Sequence, residues 1–591
     1  MPYREPRSLL SERCWKHTLL SIEKSLEYAD ANPYHNWSYV GSKWRKVEEK
    51  LPRRMVRWTR KAIEWIKGPE PPVPYRIQPF FERIQTFPTR LLSRLPKLAR
   101  VTIYLCAFML WLVLFGVLIS KRGLPSDIGG VGAPVRLACT SKLWYSSQSC
   151  GLDGTNCLPF DDTAFSFFCP SDCAGVEVLN PYTIGDTQII YQSLVVGGTP
   201  NATESSEFVY RGDSFICGAA IHAGIVKDSR GGCGVLSLIG EQSSYGSAAS
   251  HGIQSVGFNS SFPMSFDFDQ SDRVVRAAET CGDPRWDLLI LSTIFTSTFS
   301  LFTTTSGALA SFLPAAFVAT VIYRFTIRKT LRKLTAQIEK TVLWIGGCWV
   351  GAMSNVTLEL IPLQRLTSHD IHQQPGAITA LVILVLVIAG VAIYQAWCFR
   401  REGRLPRYLA LYATLGIGLC ILLAVPGLQL RIHHYILALL LLPGTSLQTR
   451  PSLLCQGLLV GLFINGIARW GFASILQTAA ALRGDAQLGT VVPNITTPII
   501  NATNITFAWT GLAKGYEGVS VLVNDVERFR GSHQEGDTSF TWTRQDSAHP
   551  EFFRFGFINY IPFGSVSYSD FTHAGTWWPN GSWSDIPPGA S

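Results

Sequence analysis

The chain of 591 residues has no phosphate-binding loop, no dinucleotide fingerprint and no nucleophile elbow set between a strand and a helix. Its motifs therefore announce neither nucleotide chemistry nor the common acyl-transfer scaffold. No internal repeat is detectable, and no basic repeat interleaved with aromatics is present, so nucleic acid is not an expected partner. Residues 1–100 lack a short basic stretch followed by an apolar core, so targeting is expected from a later span. Charge is also sparse: 16% of residues are charged, whereas 47% are hydrophobic, a balance that favours membrane spans over one large soluble core.

The charge that is present is unevenly placed. Residues 1–100 hold 21 Lys and Arg against 10 Asp and Glu, a net of +11. Residues 121–286 hold 10 against 17, a net of −7, and residues 478–591 hold 6 against 10, a net of −4. A basic segment, a hydrophobic span and then an acidic segment is the layout of a chain threaded through a bilayer, with its basic end retained inside.

Cysteines and sequons agree with that layout. Eight of the 14 cysteines, Cys139, Cys150, Cys157, Cys169, Cys173, Cys217, Cys233 and Cys281, cluster in the acidic segment and read as disulfides in an oxidising compartment. Cys106, Cys348, Cys398, Cys420 and Cys455 fall within or beside apolar runs and read as packing residues. Sequons at Asn201, Asn259, Asn494, Asn501, Asn504 and Asn580 read as glycosylation sites, which places both acidic segments outside. Asn36 and Asn355 also match the pattern, and Asn36 reads as a chance match.

This sets a domain plan. A basic cytosolic tail occupies 1–100, within which Trp58, Ile63, Trp65 and Ile66 among Arg53, Arg54, Arg57, Arg60 and Lys61 suggest a short basic amphipathic helix, either on the membrane surface or solvated. Val101–Ser120 is the signal-anchor span, about 20 uncharged residues, enough to cross about 30 Å of hydrocarbon. An outer region follows over 121–286. Residues 287–475 form a helical bundle of about six spans: Gly307–Tyr323, after a stalk, interfacial helix or membrane-dipping stretch, then 342–361, 377–397, 408–425, 433–447 and 453–472. Seven crossings with a cytosolic N-terminus put the C-terminus outside. The destination is the plasma membrane or the endomembrane system.

The tail, 478–591, is expected to be a β-sandwich. Ile505–Trp509, Val519–Val523, Ser539–Trp542 and Phe552–Asn559 are β-rich and separated by turn residues. The runs 505–509, 518–531 and 552–559 resemble the B, C and F strands of a fibronectin type III domain.

The outer region carries a longer signature. Tyr210-Arg-Gly-Asp-Ser214-Phe-Ile-Cys217-Gly-Ala-Ala220-Ile-His222-Ala-Gly224 follows Cys169-Pro-Ser-Asp-Cys173 and precedes Tyr245-Gly-Ser and Gly252-Ile-Gln-Ser-Val. These stretches resemble the LCCL family over about 157–268, and with the many spans the whole chain is similar to fungal LCCL-domain membrane proteins. The resemblance implies an α+β domain linked with binding rather than catalysis. It also implies Cys173–Cys217 and Cys157–Cys169 bridges; the four remaining cysteines are then paired Cys139–Cys150 and Cys233–Cys281, among the 105 pairings that eight cysteines allow. Small Ala219, Ala220 and Ala223 let a short helix pack closely, and Gly224 fits a left-handed helix stop. His222 reads as a satisfied core histidine. Arg211-Gly-Asp213 spells an integrin-type tripeptide, here by accident.

One constellation favours chemistry instead. His369 and His372 precede one span and His433 and His434 open another, all on the outer face by this topology, so four imidazoles could hold zinc with an open position for water, with Asp370 or Glu359 behind them. The spacing matches no known metal motif, and Arg431 beside His433 opposes a cation. Asn465 and Arg469 within a span either line a pathway or hydrogen-bond between helices. The leading expectation is a membrane-anchored binding or adhesion protein presenting its LCCL domain to a glycan, lipid or protein ligand. The rival is a zinc-dependent membrane hydrolase or a transporter built on the helical core. No cofactor is specified.

Overall fold

The structure, a computed structural model, describes residues 52–120, 124–145, 147–200, 208–278, 281, 316–358, 361–363, 368–472, 474–483, 486–561 and 565–591. Asn36, Asn201, Glu359 and the stretch 287–315 lie outside the described residues. The chain divides into two compact units. One comprises Met1–Pro96, Thr296–Leu363 and Gly376–Gln477, the other Lys97–Phe295, Gln364–Pro375 and Thr478–Ser591.

Four helices among the described residues are long and apolar enough to cross a membrane. Three belong to the first unit: Ala377–Arg401, Leu405–Leu423 and Arg450–Trp470. Each is apolar on nearly every face, which a helix tolerates only in a core or in lipid. The second unit contributes Lys97–Ser120. The expected span at 342–361 is a chain of shorter pieces, with a wide π-helical turn over Lys340–Ile345, α-helix over Gly346–Ala352 and a last turn at Ser354–Thr357. The stretch 433–447 holds the short helix His434–Leu441, closed by a tight turn at Leu442–Thr445 that contains Pro443.

Small residues bring two of these helices into contact. Gly347 and Gly351 on the 346–352 helix face Gly457 and Gly461 on the 450–470 helix, two reciprocal Gly-x-x-x-Gly pairs. A Cβ at Gly351 would overlap the Leu458 carbonyl, and one at Gly461 the Cys348 carbonyl. Backbones approach this closely only where side chains are absent, and in lipid such packing replaces the hydrophobic drive. Buried polar groups reinforce it. Asn465 Nδ2 donates to Ala352 O at 2.9 Å and Trp344 Nε1 to Gln456 Oε1 at 3.0 Å, while Ser452 Oγ donates to Gln395 Oε1 at 2.8 Å and ties the 450–470 helix to the 377–401 helix. Asn465 is thus an interhelical hydrogen-bonding residue; the side chain of Arg469 lies outside the described residues.

In the second unit a six-stranded sheet forms the cysteine-rich domain. Its spatial order is Val135–Arg136, Asp161–Cys169, Gly232–Ile239, Ser265–Phe268, Phe208–Arg211 and Gly197–Pro200. The helix Ile216–His222 lies against it with every residue buried, among Tyr210, Leu236, Phe266 and Phe268.

The tail folds as two sheets over one core. Ile499–Ile500, Asn504–Ala508 and Ser539–Thr543 make the smaller sheet. In the larger, Val526–Ser532, Gly518–Val523, Glu551–Ile561, Gly575–Trp577 and Trp583–Ser584 follow in order, and Ser565–Phe571 also pairs with Glu551–Ile561. Alternate residues Ile505 and Phe507 from one sheet meet Val519, Val521, Phe553, Phe555 and Trp577 from the other. Every β-rich segment expected in the tail is a strand, within one or two residues at its ends.

Candidate functional site

The hallmark begins on the strand Phe208–Arg211 and turns through Gly212 and Asp213 into the helix Ile216–His222. Ser214 holds the turn: its N–H donates to Arg211 O at 2.9 Å and its Oγ accepts the Val196 N–H at 3.0 Å. Ala219 and Ala220 are fully buried, so the helix backbone sits where a larger side chain would push it off the sheet. Gly224, at φ +79°, carries the chain away from the helix, and a Cβ there would stand 2.8 Å from the His251 ring.

His222 is a core residue with both ring nitrogens engaged. Nε2 faces the Ala248 carbonyl at 3.1 Å and Nδ1 faces the Tyr210 hydroxyl at 2.8 Å. A carbonyl only accepts, so Nε2 carries the hydrogen and Nδ1 takes the tyrosine's. Burial, with a smaller push from His251, holds the imidazole below its usual range and so keeps it neutral.

The Arg-Gly-Asp tripeptide is sealed. Arg211 is fully buried and donates from Nε and Nη2 to the two carboxylate oxygens of Asp213, at 2.8 and 2.6 Å. Its Nη1 donates to Asp525 Oδ2 at 2.9 Å. Its guanidinium lies between the rings of Phe258 and Phe262, 4.4 and 4.6 Å from their centroids. Tyr182 Oη donates to Asp213, the Gly185 N–H donates to Asp525 Oδ2, and Arg554 Nη2 donates to Asp525 Oδ1 at 2.7 Å. Burial alone would raise the Asp213 carboxyl, but the Arg211 charge outweighs it and holds the group below the usual carboxylate range. Two guanidinium groups and two carboxylates balance, which lets four charges leave water together.

Asp525 comes from the tail. It sits in the two-residue turn Asn524-Asp525 between Gly518–Val523 and Val526–Ser532, with both residues at positive φ, 53° and 63°. That is the tight hairpin geometry that Asn and Asp tolerate best. Around this turn the two domains share a core, in which Val526 and Phe552 join Phe215, Phe258 and Phe262. The Phe258 and Phe552 rings are 5.6 Å apart. A seam of apolar contact around one charged cluster can fix two domains to each other, and the hallmark supplies half of it. Residue reading of the sequence missed Asp525, Arg554 and Phe552; an Asn-Asp pair between two β-rich runs was the available signal.

The disulfides correct the implied pairing. The bridges are Cys139–Cys173, Cys150–Cys157, Cys169–Cys217 and Cys233–Cys281, so of the four expected only Cys233–Cys281 stands. Cys169 ends a strand that runs beneath the 216–222 helix and there meets Cys217. Cys173 lies beyond the turn at Pro170–Asp172, at the incoming 139 segment.

Among the sequons, Asn259, Asn494, Asn501 and Asn580 are exposed, and Asn504 is half-buried in its strand. His372 is exposed on the short helix Ser368–Gln373, while the side chain of His369 lies outside the described residues. His433 immediately precedes the helix opened by His434. Among the described residues no group of three or more His, Cys, Asp or Glu side chains is placed to hold a metal ion.

Residues 137–265 match the model of the LCCL domain. The match begins ahead of the expected 157, so Cys139 and Cys150 belong to it. The chain is also similar to an uncharacterized protein of Saccharomyces cerevisiae, 29% identical across 93% of this chain and 92% of the relative. No solved structure matches the chain.

Proposed function

We propose that this protein is a membrane-anchored binding or adhesion protein that presents its LCCL domain, fixed to a fibronectin type III-like sandwich, to a glycan, lipid or protein ligand outside the cytosol. The LCCL match at 137–265 carries the reading, since that domain is a general binding module. Four long apolar helices support anchorage in a membrane. The tail's strand pairing supports the sandwich: the 499–500, 504–508 and 539–543 strands take the places of A, B and E, and 518–523 beside 551–561 those of C and F. The exposed asparagines at 259, 494, 501 and 580 support an outer location for both domains, with the N-terminal basic segment in the cytosol.

The seam around Arg211 bears on where a ligand would bind. The hallmark turn is consumed by the inter-domain contact, so the ligand surface is the remainder of the LCCL face. Binding of the full-length protein in lipid nanodiscs to panels of glycans, lipids and cell-surface extracts tests the reading. Selective, saturable binding that an antibody to the LCCL domain blocks is the expected result. Binding indifferent to that antibody, or none to any panel, would discard it.

A further inference from the structure

Residues 53–94 present two apolar faces to the outside, and both are bordered by basic residues. On the helix Arg53–Lys67, Met55, Trp58 and Trp65 are exposed, Trp58 to 76%. That helix carries six Lys and Arg against one Glu. On the helix Glu82–Arg94, Ile84, Phe87 and Leu91 recur at helical spacing and continue Phe81, itself 73% exposed. Arg83, Arg90 and Arg94 run along the border of that stripe. Water is a poor environment for so many large apolar side chains in one segment.

The same segment is strapped to the ends of the apolar helices of its unit. Arg400 Nε donates to Trp65 O at 2.6 Å and its guanidinium lies 4.9 Å from the Trp65 ring. The Val73 N–H donates to Arg401 O at 2.9 Å and the Tyr75 N–H to Glu402 Oε1 at 3.0 Å. These partners sit where the 377–401 helix ends. Farther on, Arg450, the first residue of the 450–470 helix, lies 4.0 Å from the Phe80 ring and donates to Gln78 O. Glu339 accepts from the Phe80 N–H at 2.7 Å and from Gln85 Nε2 at 2.9 Å. A backbone tied to the ends of two membrane helices runs at the level of the lipid headgroups. Beside Phe80 a cleft of about 420 Å³ opens, walled by Ile338, Val342, Leu343 and Leu454, with Arg450 and its ion-pair partner Glu339, 3.4 Å away, on its lining. Its apolar walls suit an acyl chain, while the headgroup charge falls to the arginines that border the strap.

From these placements we infer that residues 53–94 form an in-plane strap that binds anionic phospholipid of the adjoining leaflet. Trp58, Trp65, Ile84 and Phe87 sink among the acyl chains, while the bordering arginines take the headgroup charge. A protein partner or a second copy would also cover apolar faces. The basic borders and the attachment at headgroup level favour lipid.

The inference rests on the membrane reading of the 377–401 and 450–470 helices, and its test separates the two. The full-length protein is placed in nanodiscs containing photoactivatable phosphatidylserine or photoactivatable phosphatidylcholine, and labelled peptides are mapped by mass spectrometry. The expected result is severalfold stronger labelling of the 53–67 and 82–94 peptides by phosphatidylserine, with the 377–401 helix labelled equally by both lipids. The combined variant Arg83→Gln, Arg90→Gln and Arg94→Gln should lower the phosphatidylserine signal on 82–94 to the phosphatidylcholine level and leave the 377–401 signal unchanged. Equal labelling by the two lipids would overturn the anionic preference. Unlabelled strap peptides beside a labelled 377–401 helix would overturn the lipid contact, and cross-links to another chain would then identify the true cover. If neither region is labelled, the membrane reading itself fails and this inference fails with it.

Discussion

Arg211 Nη1 stands 2.9 Å from Asp525 Oδ2, although the two residues are 314 positions apart. Asp525→Ala would leave the buried Nη1 and the Gly185 N–H without their acceptor. Removing one partner of a buried ion pair costs about 3–5 kcal/mol, and thermal unfolding of the detergent-purified protein should show a loss of that order. Arg554→Met, which removes a partly exposed donor to the same carboxylate, should cost clearly less. Equal losses would mean that Asp525 does not serve Arg211 in particular.

The bridge assignments give a chemical prediction. Cys217→Ser should leave Cys169 as the newly reactive thiol, with Cys173 still bonded to Cys139. Loss of a bridge whose cysteines are 48 residues apart should lower stability by about 4 kcal/mol. Alkylation under non-reducing conditions followed by peptide mapping reads the free thiol directly.

Acid should loosen the domain that holds His222 and Asp213 in two windows. His222 is held below its usual range, so the unfolded chain binds the proton first and stability falls as pH drops below about 6.5. Asp213 is also held low, so its contribution is present above about pH 3.9 and is lost as pH falls through its lower folded value. Midpoints measured from neutral to strongly acidic pH should show both declines. His222→Gln should remove the first and leave the second.

In the helical unit, Gly351→Leu should separate the 346–352 and 450–470 helices, because its side chain has only the Leu458 backbone to enter. Overpacking of this kind typically costs about 1–3 kcal/mol. Gly390→Leu, where nothing lies within 4 Å, should be tolerated. Retention of the folded species in detergent by size-exclusion chromatography distinguishes the two variants.

Local chemistry was the most legible part of the sequence. Periodicity and turn residues located the tail strands from Asn504 to Ile561, and the hallmark located the 216–222 helix and its buried His222. Long-range partners were not legible. Nothing local in Arg211-Gly-Asp213 points to a carboxylate 314 residues away, because charge complementarity in a folded chain depends on topology rather than spacing. The bridges failed for a similar reason: Cys169 and Cys173 are neighbours in sequence, but a strand end and the turn beyond it face different partners. The glycine contacts escaped because nothing local in Gly347 and Gly351 says which face of the 342–361 run meets which other helix.

Glycan mapping of single-sequon variants is the most direct measurement of the central claim. On the proposed membrane reading, domains joined through Arg211 and Asp525 must lie on the same side of the bilayer. Each variant of the full-length protein keeps one of Asn259, Asn494, Asn501 and Asn580 and has Gln at the other sequons. Glycosidase-sensitive mobility is expected for variants retaining Asn259 and also for variants retaining a tail asparagine. Modification of Asn259 with no modification at any tail site, or the reverse, would contradict a joined pair of domains facing outward.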